Sequence, residues 1–321
     1  MASHARNAAI ALMVLAFGVG CKPAKKAEGA ASDAASAPTA DATSPLPDGP
    51  VPQGVFPSTA VGATSAQLTI AGAKRSVALY LPAKRAAKPA LVIVCHGTDG
   101  DAAEQLTEAG GEKLADSEGL VVAAPQARVM PQADWDQHTA GQTFFETYPK
   151  VTLETNVDLQ LVAAIIAEAK AAYGIDERRV YVAGFSNGAF FAQFVAMALH
   201  DRVAAFASKS GGLVRCDTTD VCTFSGTGTS CAALAQQADW CSCSGTEKPG
   251  PIATSGYKPA AYVVHAADDG TVSPYYSCQL ADRLKSLGYD VQLSILATGG
   301  HEWGTDFLPT AWPFLSKHSM P

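Results

Sequence analysis

The stretch Ala90-Leu-Val-Ile-Val-Cys95 is apolar at every position. A strand with one wet face alternates apolar and polar residues. An unbroken apolar run of this length therefore reads as a strand buried on both faces, the condition of a parallel sheet covered by helices on either side. Leu120–Ala124 is a second such run, and Val180–Ala183, Ala204–Ser208, Ala261–Val264 and Val291–Leu296 complete the set of strands. Residues 66–81 read as two short strands joined by a glycine-containing turn. Helical spacing lies between the runs. From Thr155, three residues before Asp158, Val157, Leu161, Ile165 and Ala169 mark one face of a helix that ends at Gly174. Ser273-Pro274 opens another, running to Gly288. Strands alternating with helices predict an α/β fold with a mostly parallel central sheet flanked by helices. No internal repeat is present.

The first residues are different in kind. His4 and Arg6 precede the apolar run Ala8–Phe17, followed by Gly18-Val19-Gly20-Cys21. A basic start, a short apolar stretch and small residues make a signal peptide over 1–20, too short to cross a bilayer as a mature helix. Cys21 directly after the small residues resembles the lipidation site of a bacterial lipoprotein, although Gly18 stands where such signals usually carry leucine; a plain secretory signal is the alternative. Either reading implies export, with a lipid anchor in the cell envelope in the first case. Residues 21–60 are rich in Ala, Pro, Ser, Thr and Gly and nearly free of large apolar residues, so they read as a flexible tether before a folded domain over 61–321. With 48% hydrophobic and 17% charged residues that domain has ample core, and a net charge of −7 without a basic cluster argues against nucleic acid as a partner.

Between two predicted strands, residues 213–258 break the rhythm. This insert holds Cys216, Cys222, Cys231, Cys241 and Cys243, and Cys278 follows on the next helix. In an exported chain six such cysteines imply up to three disulfides, with about 15 possible pairings. Zinc is the rival, but no histidine accompanies them, so no metal is expected. Cys95 reads as a buried free thiol.

Gly184-Phe185-Ser186-Asn187-Gly188 joins an apolar strand to a helix that is apolar nearly all round. Strand, tight turn and helix is the context of a nucleophile elbow, in contrast to an ordinary turn serine. Such a serine needs a base. His301, in "ATGGHEWG" after the last strand, is placed to reach it; the other histidines fall in the leader, at strand ends, at a helix end, in a loop or near the chain's end. The base needs a carboxylate, and the loop after the strand ending at His265 offers Asp268 and Asp269. The unchosen one reads as a cap for the helix at Pro274. Ser186, Asp, His301 is the α/β-hydrolase chain order. For the oxyanion the N–H of Asn187 at the helix start and that of Thr98, in "VIVCHGTDGD", are the candidates, with Gly97 as runner-up. Trp135, Trp240 and Trp303 are candidates for an acyl or aromatic pocket, with a core role as the alternative for each and Trp303 the foremost of the three for the substrate site.

Together "VIVCHGTDGDA", "YGIDERRVYVAGFSNGA", "HAADDGTVSPYYS" and "GGHEW" resemble the polyhydroxybutyrate depolymerase-like esterases, α/β-hydrolases that include feruloyl and acetylxylan esterases. The resemblance spans about residues 65–315. It implies an aspartate four residues after the strand-terminal histidine, which selects Asp269, with Val272 also in place. Ala266 for the usual glycine, an extra residue before Pro274 and the lack of proline after Trp303 depart from the pattern. The resemblance implies a secreted serine esterase that needs no cofactor and acts on a polyester oligomer, feruloyl or acetyl ester. A serine peptidase of the same fold and an inactive envelope-anchored binding protein are the alternatives.

Overall fold

The computed structural model describes residues 50–131, 141–147, 150, 152–216, 228–236 and 247–321. The expected signal peptide, Cys21, most of the tether, Trp135 and Trp240 lie outside the described residues. Chain order begins β1 (Gly62–Ile70), β2 (Ala73–Leu81), β3 (Leu91–Cys95), α1 (Ala102–Glu108), α2 (Gly111–Glu118) and β4 (Val121–Pro125). A short ribbon, β5 (Arg128–Val129) and β6 (Thr143–Phe144), precedes α3 (Val157–Tyr173), β7 (Val180–Phe185), α4 (Asn187–Ala198) and β8 (Ala205–Lys209). The insert contributes β9 (Val214–Cys216), α5 (Cys231–Gln236) and β10 (Glu247–Pro249), before β11 (Ala260–Ala266), α6 (Pro274–Ser286), β12 (Val291–Leu296) and α7 (Phe307–Leu315).

Eight strands form one sheet in the order β1-β2-β4-β3-β7-β8-β11-β12. Only β2 breaks the parallel run, pairing antiparallel with both β1 and β4. The unbroken apolar runs are covered as expected, β3, β4, β8 and β11 being buried at every position, whereas β12, with Gln292 and Ser294 in its run, is the half-exposed edge strand. Two layers cover them. Leu161 and Ile165 of α3, Phe191 and Phe194 of α4 and Leu280 and Leu284 of α6 pack one face. Leu106 of α1, Leu114 of α2 and Leu308 and Phe314 of α7 pack the other. This is the α/β architecture that the sequence predicts.

Some local details differ. The cap of α3 is Asn156, one residue past Thr155, because its Oδ1 accepts the N–H groups of Asp158 and Leu159, both at 2.9 Å. The same side chain donates to the Glu146 carbonyl at 2.8 Å, a tertiary bond that a local reading misses. The packed chain also starts before residue 61. Glu168, buried on α3, accepts from the backbone N–H groups of Gln53, Gly54, Val55 and Phe56, and Phe56 joins the core. The signal for that docking sits 112 residues away, at Glu168. In the insert, Cys231 and Cys278 form a disulfide that fastens α5 to α6. The expected pairings of Cys216, Cys222, Cys241 and Cys243 lie outside the described residues. Cys95 is a buried free thiol, and burial pushes its ionisation well up.

Candidate active site

Parallel strands end together, so loops far apart in sequence meet at the carboxyl edge of the sheet. Ser186 stands between β7 and α4 with φ 52° and ψ −122°, a conformation L-residues avoid. Its flanking glycines make this turn possible. A Cβ on Gly184 would collide with the Gly188 carbonyl, and one on Gly188 with the carbonyls of Cys95 and His96. The turn is therefore locked from both sides by backbone.

The Ser186 hydroxyl lies 2.9 Å from His301 Nε2, and His301 Nδ1 lies 2.8 Å from Asp269 Oδ2. One continuous hydrogen-bonded line thus joins three loops. Asp269 is fully buried and densely bonded: Oδ1 accepts the N–H groups of Thr271 and Val272, both at 2.9 Å. Burial alone would push its carboxyl up, but hydrogen bonds from His265 and His301 outweigh that and hold it far below the usual carboxylate range. Asp268 does not cap α6 as expected. Its Oδ1 accepts the Gly300 N–H at 2.8 Å, which ties down the loop carrying His301. Phe185 backs the imidazole at 4.8 Å between ring centroids.

The turn after β3 lies against this line. A Cβ on Gly97 would sit 3.3 Å from Ser186 Cβ. His96 is buried beneath it, with Nδ1–H donating to the Gly97 carbonyl at 2.6 Å and Nε2 accepting the Ala127 N–H at 3.0 Å. Thr98 is exposed next to it. Asn187 is the first residue of α4, where a backbone N–H has no intrahelical acceptor. Its side chain turns away to clasp Phe145, accepting its N–H at 2.8 Å and donating to its carbonyl at 3.1 Å.

Trp303 does not sit where a substrate would meet it. Only 5% exposed, it packs edge-on to Phe185 at 5.6 Å and against Phe307 at 5.0 Å, because the loop after His301 dives into the core ahead of α7. It props Phe185, and through it the imidazole.

Two residues of this neighbourhood have no role in the sequence reading. His265, fully buried at the end of β11, donates from Nε2 to Asp269 Oδ2 and to the Val272 carbonyl, both at 3.0 Å, while its Nδ1 lies 2.7 Å from the Ser277 hydroxyl. Burial lowers its pKa below the ordinary histidine value, against the pull of the Asp269 carboxylate. It is a second histidine on the one carboxylate. Its position four residues before Asp269 was the available signal. Lys209, buried at the end of β8, accepts the Ser186 N–H on its carbonyl at 3.0 Å. Burial lowers the pKa of its ammonium, while the Asp269 and Asp268 carboxylates pull the other way. A lysine closing an apolar strand gave no such hint.

A hydroxyl held on an imidazole whose far nitrogen faces a carboxylate is able to lose its proton as it attacks an electrophilic carbon. Comparison with known proteins points the same way. Residues 75–225 match the model of the family described as Esterase PHB depolymerase. The bifunctional acetylxylan esterase/xylanase XynS20E of Neocallimastix patriciarum is 34% identical over 140 residues, covering 44% of this chain and 18% of that protein. Feruloyl esterase B of Talaromyces funiculosus is 28% identical over 135 residues, covering 41% of this chain and 35% of that one. The chain thus spans well under half the length of either relative. A solved acetyl xylan esterase from Aspergillus awamori shares the fold, with a TM-score of 0.51 at 17% identity over 78% of this chain and 98% of that one. Ser186 and the His96–Thr98 turn fall inside the matched segment, Asp269 and His301 beyond it; the chain is similar to the PHB depolymerase-type and feruloyl esterases, on an α/β-hydrolase fold.

Proposed function

We propose that this chain is a serine carboxylic-ester hydrolase. The observation that carries the reading is the line from Ser186 through His301 to Asp269, set at a strained strand-to-helix turn. Ser186 attacks the ester carbonyl while His301 Nε2 takes its proton. Asp269 holds the imidazole in the required tautomer and stabilises the imidazolium. The N–H groups of Asn187 and Thr98 receive the tetrahedral oxyanion. His301 then protonates the departing alcohol, and water, activated by the same imidazole, releases the acid from Ser186. No step requires a metal or organic cofactor.

The substrate class we favour is a polyester oligomer, feruloyl or acetyl ester outside the cytoplasm. The family match and the two esterase relatives support ester over peptide cleavage, and the leader-like first 20 residues support export, with Cys21 as the lipid anchor and residues 21–60 as tether. Among the described residues no helix is long and apolar enough to cross a membrane. The test is a panel of p-nitrophenyl acetate, a feruloyl ester, acetylated xylan, hydroxybutyrate oligomers and a peptide anilide, run on wild type and Ser186→Ala. Ester turnover is expected, and Ser186→Ala should lower it on the order of 10⁴-fold or more. Turnover of the anilide in preference to every ester assigns a peptidase; no turnover and no labelling by a fluorophosphonate assigns a binding protein.

A further inference from the structure

Asp269 bonds two histidines, and only His301 of the two reaches Ser186. The other, His265, lies fully buried at the end of β11. Its Nε2 faces two oxygens at 3.0 Å, Asp269 Oδ2 and the Val272 carbonyl. A carbonyl and an ionised carboxylate only accept, so Nε2 carries a proton. Its Nδ1 lies 2.7 Å from the hydroxyl of Ser277 on α6, and that hydroxyl also has the Gly211 carbonyl at 2.8 Å.

Ser277 thus has one proton and two acceptors. With the proton turned to Gly211, Nδ1 must donate and the ring is an imidazolium. With the proton turned to Nδ1, the ring is neutral. Burial acts most strongly on this ring and opposes its charge, aided by the Lys209 ammonium and resisted by the Asp269 carboxylate. The balance favours the neutral ring, protonated on Nε2.

The consequence falls on Asp269. Its Oδ1 is held by the N–H groups of Thr271 and Val272, and its Oδ2 by His265. His301 Nδ1 meets the same two oxygens, at 3.0 and 2.8 Å. A carboxylate gripped at both oxygens cannot swing away from His301, and each N–H donor favours its charged form. A cationic His265 would cancel the charge that stabilises the His301 imidazolium during attack. A neutral one supplies the grip and leaves the charge in place.

We propose that His265 is a positioning residue: kept neutral by the Ser277 hydroxyl, it donates from Nε2 to Asp269 and holds that carboxylate, charged and correctly turned, against His301. The proposal rests on the esterase reading and deepens it. Ser186, His301 and Asp269 perform the cleavage, while His265 and Ser277 act only through the carboxylate.

The test measures kcat and KM for p-nitrophenyl acetate, with folding checked by Tm. His265→Leu keeps the bulk and removes the donor, and its kcat should fall about 100-fold with KM little changed. His265→Gln puts an amide N–H where Nε2 stood and should recover about tenfold of that loss. Ser277→Ala should lower kcat about fivefold in the wild-type background and add nothing in His265→Leu, because its effect passes through the ring. Nitrogen NMR of histidine-labelled protein at neutral pH, assigned by the signal lost in the His265 variants, should show a neutral ring protonated on Nε2. If His265→Leu does not fold, the Gln and Ser277 variants and this spectrum decide. An imidazolium at His265, an unchanged kcat in the variants, a loss confined to KM, or equal losses in Leu and Gln overturns the proposal. Wild type that cleaves no ester and takes no fluorophosphonate at Ser186 sinks the esterase reading, and the positioning role with it. Normal wild-type turnover with kcat unchanged in the variants removes the positioning role alone.

Discussion

The strand-end site and the insert beside it are held by opposite means. Around Ser186 the backbone itself does the fixing: glycines in contact with carbonyls, a serine at positive φ, and a carboxylate with each oxygen bonded more than once. The described residues of the insert are fastened instead by bonds to separate elements: the Leu213 N–H to the Tyr276 carbonyl, Gln193 to the Pro251 carbonyl, the Tyr257 hydroxyl to the Ala204 carbonyl, Lys258 to the Leu287 carbonyl, and one disulfide. Reacting atoms must be held to fractions of an ångström, which needs the rigid sheet edge.

Glycine-to-alanine exchange in each region should break the comparison if it is wrong. Gly188→Ala drives a methyl into two backbone carbonyls that cannot move aside. Urea melts should show a loss of about 3 kcal/mol or more, with ester turnover abolished. Gly250→Ala meets the Gln193 Oε1 atom at 2.7 Å, the end of a side chain. It should cost on the order of 1 kcal/mol and act mainly on KM.

Removing the disulfide is the next largest effect. Cys231→Ser with Cys278→Ser opens a 47-residue link and should cost about 2–4 kcal/mol, read as a lower Tm. Cleavage of p-nitrophenyl acetate, with its small acyl group, should fall less than cleavage of a bulkier feruloyl ester. Equal losses would mean that the two regions are one unit.

The smallest effect is a pH dependence. Burial lowers the pKa values of His96 and His265, so the unfolded chain binds protons near pH ~6.5 that the folded chain refuses. Stability should therefore decline as pH falls below about 6.5. Asp269 runs the other way: its carboxyl is depressed, so its contribution is present above about pH 3.9 and lost only on further acidification. The window between belongs to the histidines. His265→Gln should flatten that slope, measured by melts from pH 7 to 4.5, and should lower kcat more than it changes KM.

Much of the strand-end site was legible because its determinants are local. Apolar runs announce doubly covered strands, and G-x-S-x-G announces a turn only glycine permits. The resemblance added the four-residue spacing from His265 that selects Asp269. What stayed illegible depends on partners remote in sequence. Trp303 beside the histidine looks like a pocket residue, yet it is core because α7 pulls its loop inward. Asp268 looks like a helix cap, yet it bonds Gly300, 32 residues on. Thr155 looked like the cap of α3, but Asn156 also had the Glu146 carbonyl to bond.

By itself the sequence determined the strands of the main sheet, the helices α3, α4 and α6 that cover one face, and which serine stands at the elbow, since these follow from periodicity and the steric freedom of glycine; α1, α2 and α7 on the other face came only with the structure. Only the tertiary structure decided that His265 shares the Asp269 carboxylate with His301 and that Asp268 reaches Gly300. Those meetings depend on the order and register in which the strands pair, and no short stretch of chain encodes that by its own composition.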